Sequence, residues 1–255
     1  MERYFLGNNS GYGFWNDYVD ELKNKDRVAL LKGGPGTGKS TLMKKVAQAI
    51  KKAGCDYELW YCSGDPQSLD GVYIKDTNRA VVDATAPHAS GVDIPVIKDR
   101  IFDLAEGLKP YKLKDARESI EKLISDKKQC FVRVYQHLKC ALCHLHNKYE
   151  LEKQAVDEAG IRVYAHKIAD VLRRENANES RDRKLFARAI CPSGENAYFD
   201  HLRNARIYLA EGCEYAKSVF FDELSKIVKG CFLLQNPLEP HVYEGIGRGS
   251  VRVVS

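Results

Sequence analysis

The chain has 255 residues, 44% of them hydrophobic and 29% charged, with a formal net charge of +5. That length supports one large domain or two small ones with a real core. The mild basicity suits anionic ligands and falls short of the dense basic patches that mark nucleic-acid binders. The chain opens on Met1-Glu2-Arg3 with no apolar run behind it, so its 8 cysteines read as reduced thiols of a cytoplasmic protein. No stretch approaches the ~18 apolar residues of a membrane span.

In chain order, Phe14, Tyr18 and Leu22 recur every fourth residue, with Trp15 and Val19 beside them, and predict one helical face. Arg27 to Gly33 is a short apolar run ending in glycine, the pattern of a buried strand. Leu42, Val46 and Ile50 predict a helix that Gly54 stops. Tyr57 to Cys62, Val72 to Ile74 and Ala80 to Val82 read as further strands. Strands alternating with helices imply an α/β fold with a parallel sheet flanked by helices.

The character changes from about Asp115. Phe131, Tyr135, Leu138, Leu142, Leu145 and Tyr149 are spaced 4, 3, 4, 3, 4, which predicts a long helix with a heptad-like seam. Ile161, Tyr164, Ile168 and Val171 predict a second helix that pairs with it as a hairpin. Glu175 to Lys184 is polar and charged and reads as a linker or exposed loop. The tail then echoes the head. Arg206 to Gly212 matches Arg27 to Gly33, Tyr198 to Leu202 matches Tyr18 to Leu22, and Gly230-Cys231 matches Gly54-Cys55. His241 to Tyr243 and Val251 to Val254 follow the pattern of Gly71 to Tyr73 and Ala80 to Val82. The expected organisation is a nucleotide-binding unit over residues 1–110, a helical hairpin insertion over 111–183, and a degenerate second unit over 184–255 that packs on the first.

The chemistry concentrates at Gly33-Gly34-Pro35-Gly36-Thr37-Gly38-Lys39-Ser40, followed by Thr41. This fits the P-loop pattern G-x-x-x-x-G-K-[ST] between a predicted strand and a predicted helix. Glycines let the backbone curl so that successive N–H groups face phosphate oxygens. The helix beginning near Lys39 adds its positive end. Lys39 is expected to reach the β- and γ-phosphates, and Ser40 to ligate Mg²⁺. Asp83 ends an apolar strand, where the second metal-holding carboxylate of such proteins sits. Ala84 and Thr85 follow it in place of a second acid, so rapid hydrolysis is not implied. ATP is preferred over GTP by default, because no Asn-Lys-x-Asp follows a strand.

Asp65 and Asp70 are candidates to orient a water or a substrate hydroxyl; the alternative is a turn held by their own hydrogen bonds. His88 is a candidate proton shuttle, or an ordinary loop histidine. Cys140, Cys143 and His144 spell a haem-attachment motif, but they lie mid-helix in a chain with no export signal. With His137 they lack a second segment to complete a zinc site, and packing thiols are the simpler reading.

The run Gly33 to Lys45, with Cys62-Ser-Gly-Asp-Pro-Gln-Ser-Leu-Asp-Gly-Val72 and Ala80-Val-Val-Asp-Ala-Thr-Ala-Pro-His88, resembles an uncharacterised bacterial family of tandem P-loop ATPases or nucleotide kinases. The resemblance implies that the tail from Lys184 is the family's second P-loop unit. There, Gly212-Cys-Glu-Tyr-Ala-Lys-Ser218 keeps Lys217 and Ser218 but lacks the internal glycines, Glu214 would repel phosphate, and the unit is shorter than the family's. Three readings stand: a Mg²⁺-dependent ATP-binding NTPase, a small-molecule or nucleotide kinase on the same site, and a non-hydrolysing switch or scaffold. The expected partners are a nucleoside triphosphate and a protein or second copy, with no membrane and no nucleic acid.

Overall fold

The structure is a computed structural model that describes residues 1–85, 97–176 and 181–255. It opens with β1 (Glu2–Tyr4) and a hairpin of β2 (Gly7–Ser10) and β3 (Gly13–Asn16). Gly13 supplies φ +97° at the turn, a conformation that a Cβ disfavours. The single helix predicted over Phe14 to Leu22 is therefore corrected. Phe14 and Trp15 lie in β3, because the glycine turn folds them back on β2, and only Tyr18–Leu22 is helical (α1).

Next come β4 (Arg27–Lys32), α2 (Lys39–Lys52), β5 (Tyr57–Tyr61), β6 (Leu69–Ile74), β7 (Arg79–Asp83) and β8 (Asp99–Asp103). They form, with β1, a six-stranded sheet in the order β1-β5-β6-β7-β4-β8. β4 runs parallel to β7 and β8, and β1 parallel to β5, but β6 is antiparallel to both its neighbours. The sheet is thus mixed where an all-parallel one was expected. The reason is connection length: the turns Cys62 to Ser68 and Lys75 to Asn78 are too short for the dozen or more residues of a parallel crossover.

A short helix, α3 (Pro110–Leu113), leads into α4 (Arg117–Lys153), whose 37 residues span about 55 Å. Then come α5 (Glu158–Arg173), β9 (Arg183–Leu185), a hairpin of β10 (Arg188–Cys191) and β11 (Gly194–Ala197), β12 (Arg206–Leu209), α6 (Glu214–Ile227), β13 (Phe232–Gln235), β14 (Tyr243–Arg248) and β15 (Val251–Val254). The second sheet has the order β12-β15-β14-β13-β9. Strand for strand this is the order β4-β7-β6-β5-β1 of the first sheet, with the same parallel and antiparallel pairings.

The layers run helix, sheet, sheet, helix. Met43, Ala47 and Ile50 of α2 cover one face of the first sheet through Leu31, Tyr57 and Val72. The opposite face packs Tyr4, Leu30, Trp60 and Val82 against Leu185, Ala187 and Leu234 of the second. Phe5 and Phe186, at matching places in the two halves, exchange backbone hydrogen bonds of 2.9 and 3.0 Å.

The two long helices do not pair as the expected hairpin. α5 lies on α6, with Ala165, Ala169 and Leu172 packed on Phe221 and Leu224 and with Arg162 2.7 Å from Glu223. Its apolar stripe is covered by α6 and the second sheet, through Phe221, Leu224 and Ile246. The inner seam of α4 instead crosses the first hairpin and the second unit. Leu142 is buried, Tyr135 donates to Asn9 (3.1 Å), and His146 meets Glu239 (2.6 Å). Among the described residues no helix is long and apolar enough to cross a membrane.

Polar Arg183 and Lys184, read as linker, begin β9. Arg183 is buried between the sheets and grips Glu21 (2.9 and 3.1 Å) and Glu58 (2.8 and 3.0 Å) of the first unit. Lys25 meets Glu21 at 2.7 Å and Lys75 meets Glu58 at 3.4 Å. Burial by itself would raise the Glu58 carboxyl, but Arg183 and then Lys75 outweigh it and hold it at about 2, below its ordinary 4.5. Its contribution to stability is complete above the ordinary value and lost as pH falls toward 2. Arg183→Met, which leaves Glu21 and Glu58 with only Lys25 and Lys75 as cationic partners, is expected to cost about 3 kcal/mol in urea unfolding. In Glu58→Gln the decline of stability between pH 4.5 and 2 should flatten; an unchanged acid limb would show that another group drives it.

Candidate nucleotide-binding site

β4 ends at Lys32 and α2 starts at Lys39, so Gly33 to Gly38 forms the whole loop between them. Gly33, Gly36 and Gly38 take φ of +140°, +81° and +91°. Left-handed residues interleaved with ordinary ones curl the backbone as an anion cradle requires. Gly34 and Pro35 are exposed, Thr41 is exposed on the first turn of α2, and Thr37 donates its hydroxyl to the Gly34 carbonyl (2.9 Å).

Lys39 extends back under the loop. Its ammonium donates to the Gly33 and Gly34 carbonyls and stands 3.6 Å from the Asp83 carboxylate. Register explains the meeting, since Asp83 lies opposite Leu31, two residues before Gly33. Thr85 completes the base of the loop. Its hydroxyl donates to the Gly33 carbonyl (3.0 Å) and its N–H to Asp83 (2.8 Å). Ser40 Oγ accepts the Leu69 N–H at 3.0 Å, which ties the first turn of α2 to the start of β6. The structure thus brings Lys39, Ser40 and Asp83 to the loop.

Asp65 and Asp70 are differently placed. Asp65 accepts from the Ser68 hydroxyl (2.5 Å) and the Gln67 N–H (3.2 Å), so both its oxygens hold the β5–β6 turn. Asp70 is buried and accepts the Tyr18 hydroxyl at 3.2 Å. The neighbouring Cys62 thiol is pushed up to about 12 by burial and then by the Asp70 charge, which leaves it an inert thiol. His88 lies outside the described residues. Cys140 and Cys143 are exposed on α4, and among the described residues no group of three or more His, Cys, Asp or Glu side chains gathers into a metal site.

Sequence reasoning did not find the two clamps, Leu69 on Ser40 and Thr85 on Gly33. Thr85 stood out only as the place where an acid was absent. The clamp it forms depends on β7 lying directly beside β4, which local pattern does not reveal.

The corresponding place in the second sheet is built differently. Only Ala210 to Cys213 separate β12 from α6, and the helix begins at Glu214. Lys217 is therefore already inside the helix, paired with Glu214 at 2.9 Å. Beside it a cavity of about 450 Å³ is lined by Glu244, Arg188, Glu195 and Ser218. Arg188 is held by both Glu244 and Glu195, so that cavity's charges are satisfied internally.

Residues 17–89 match the family model of the AAA domain. The matched stretch runs from the start of α1 through the loop to just past Asp83 and is similar to P-loop, nucleotide-binding, ATPase-like domains. No curated protein and no solved structure matches the chain.

The loop's glycines differ in what they do. A Cβ at Gly34 would meet open space at an ordinary φ, whereas Gly36 needs the left-handed region. Gly36→Ala is expected to cost about 1–2 kcal/mol in urea unfolding, and Gly34→Ala within about 0.5 kcal/mol of nothing. Equal losses in the two would contradict the loop conformation described.

Proposed function

We propose that the chain binds Mg²⁺·ATP, one per molecule, on Gly33 to Thr41. The observation that carries this reading is the meeting of Lys39 and Asp83 beneath a curled glycine loop at the N-terminus of the 14-residue helix α2. The residues fit the group. The loop N–H groups and the positive helix end favour phosphate oxygens. Lys39 is held only by neutral carbonyls and one carboxylate, and bonds to ionised phosphate are stronger than bonds to carbonyls. With phosphate bound, Lys39 would exchange the Gly33 and Gly34 carbonyls for phosphate oxygens, and Asp83 and Ser40 would be the residues to hold a cation, whose chemistry would be to neutralise charge on the phosphates.

Intrinsic turnover is slow in this reading. Asp65 is committed to its turn, Asp70 lies under Tyr18, and Ala84 and Thr85 follow Asp83 where a second acid would stand. The same facts weigh against a kinase that uses Asp65 or Asp70 as its base, and favour a nucleotide-operated switch or scaffold as the second reading. In it, the second sheet is a degenerate copy of the first that has exchanged its phosphate loop for a shorter turn, and residues 184–255 serve assembly. The 8 unpaired cysteines accord with a reducing, cytoplasmic setting.

Calorimetric titration tests the assignment. Lys39→Ala should lose at least about 1.5–3 kcal/mol of ATP affinity, the scale of a hydrogen bond to a charged group. Asp83→Asn should keep metal-free binding and lose most of the gain that Mg²⁺ gives the wild type. Lys217→Ala should bind as wild type with a stoichiometry of one. Wild-type affinity in Lys39→Ala, or two nucleotides per chain, would sink the assignment.

A further inference from the structure

The two sheets close on each other through apolar side chains, but at the end away from the phosphate loop they part over a polar cavity of about 370 Å³. It opens where β5 and β9 begin and β6 and β14 end. Tyr4 and Lys75 of the first unit line it, with Arg183, Arg248 and Arg252 of the second. It shares no residue with Gly33 to Thr41 or with Asp83. Glu2, Asp56 and Glu58 also line it, and each is met by a cation. Lys75 stands 2.6 Å from Glu2, 3.7 Å from Asp56 and 3.4 Å from Glu58, and Arg183 stands 2.8 Å from Glu58.

Arg248 and Arg252 have no such partner. Arg252 donates from Nε to the His201 carbonyl (2.9 Å) and from Nη1 to those of Gly249 (2.7 Å) and Val251 (2.9 Å). Arg248 donates from Nε to the Glu175 carbonyl (3.1 Å) and from Nη1 to that of Lys229. Among the described residues neither reaches a carboxylate, and each keeps an Nη2 group whose two N–H donors are unused. At the same seam Arg3 holds Asp200 and Arg183 holds Glu21 and Glu58. Burial lowers the pKa of the Arg252 guanidinium, yet a guanidinium stays charged, so a partly desolvated cation stands there with no counter-ion in contact. It is also fixed in place. It lies 4.6 Å over the Phe232 ring, and a Cβ at Gly247 would come within 2.2 Å of that ring and 2.8 Å of Arg252 Cδ.

Tyr4 points to a ligand independently. Its side chain is 2% exposed and lines the cavity, and its hydroxyl has no hydrogen-bond partner among the described residues. A buried tyrosine hydroxyl ordinarily finds one. Burial, and then the charges of Glu2 and Glu58, push this phenol well above its ordinary value, so it is held as a donor.

We propose that this cavity is a second anion site, separate from the nucleotide loop, which binds the phosphate group of a small molecule. Three donor residues come from three strands, Tyr4 on β1, Arg248 at the end of β14 and Arg252 on β15. They suit the three terminal oxygens of a phosphate, where a carboxylate offers two. The acids of the opposite wall are already neutralised by Lys75 and Arg183, so they leave the two arginines to the ligand. The cavity lies within the size range of small-molecule pockets, and leaves room for an organic group beside the phosphate. Both units supply donors, so a bound phosphate would tie the second sheet to the first.

The probes are inorganic phosphate and phenyl phosphate, titrated calorimetrically into the full chain carrying Lys39→Ala, which removes the side-chain cation of the nucleotide loop. Saturable binding of one probe per chain is expected, and the tighter of the two shows whether the site takes free phosphate or a monoester. In that background Arg248→Gln and Tyr4→Phe should each weaken binding at least about tenfold, the scale of one hydrogen bond to a charged group. Arg248 has no carboxylate partner, so its loss strands no buried charge, and Tyr4→Phe keeps the ring. The rise in melting temperature that the probes give should shrink in both variants. Lys217→Ala, in the other cavity, should bind as its parent. No saturable binding by about 10 mM probe overturns the proposal. So does binding that both Arg248→Gln and Tyr4→Phe keep, which would place the anion elsewhere, on the loop backbone for instance. Malonate binding as tightly as phosphate would overturn the class of ligand.

Discussion

Two sheets packed face to face leave each strand's polar ends in contact with a neighbour that is also folding, and Arg183 is where that constraint is most severe. Its guanidinium enters from the first strand of the second sheet and satisfies Glu21 on α1 and Glu58 on β5. Trp60 donates its indole N–H to the same Glu58 at 3.2 Å, so the cluster is continuous with the apolar contact between sheets. A buried ionic group of this kind gains little net stability over well-packed apolar residues. What it does is penalise misalignment, since a slip of one residue in β9 would turn Arg183 to the opposite face and leave Glu21 and Glu58 without the partner they share. The paired backbone bonds of Phe5 and Phe186 fix the same alignment from the other end of the strands.

The phosphate loop inherits its rigidity from this arrangement. β4 is held on both sides within its sheet, and its inward face, through Val28 and Leu30, is sealed against the second sheet. The loop is then anchored at both ends, by Thr85 on the Gly33 carbonyl and by Leu69 on Ser40. Preorganisation of this kind lowers the ordering cost of binding. Lys39 is the exception, and the useful one. Its ammonium bonds to the loop's own carbonyls and stands beside Asp83, so the one side-chain cation of the loop is held by groups that a stronger acceptor can replace.

Much of this was legible in the sequence where a local pattern had a local cause. β4, α2 and β7 follow from apolar runs and a helical period, and the loop from its glycines. The failures share one origin, in that the deciding contact was distant in sequence. Phe14 and Tyr18 are four apart, as in a helix, but the turn at Gly13 assigns Phe14 to a hairpin. The direction of β6 depends on how few residues join it to β5. The charge of Arg183 reads as solvent-exposed linker until Glu21 and Glu58 are placed around it. The seam of α4 was correct as a periodicity, while its partner was not, because spacing identifies an apolar face and says nothing of what covers it.

The second half of the chain separates what the fold needs from what the site needs. Its strand order, its opening hairpin and its helix after the first central strand repeat those of the first half. Its turn before that helix has four residues where the first has six, and the helix starts with Glu214 where the first starts with Lys39. With the helix starting at Glu214, Lys217 stands a turn inside it and pairs with Glu214 at 2.9 Å. None of these changes touches Leu185, Ala187 or Leu234, the residues that close over the first sheet. The two halves thus share their strand order and the faces that pack together, and differ in the few residues between a central strand and the helix that follows it.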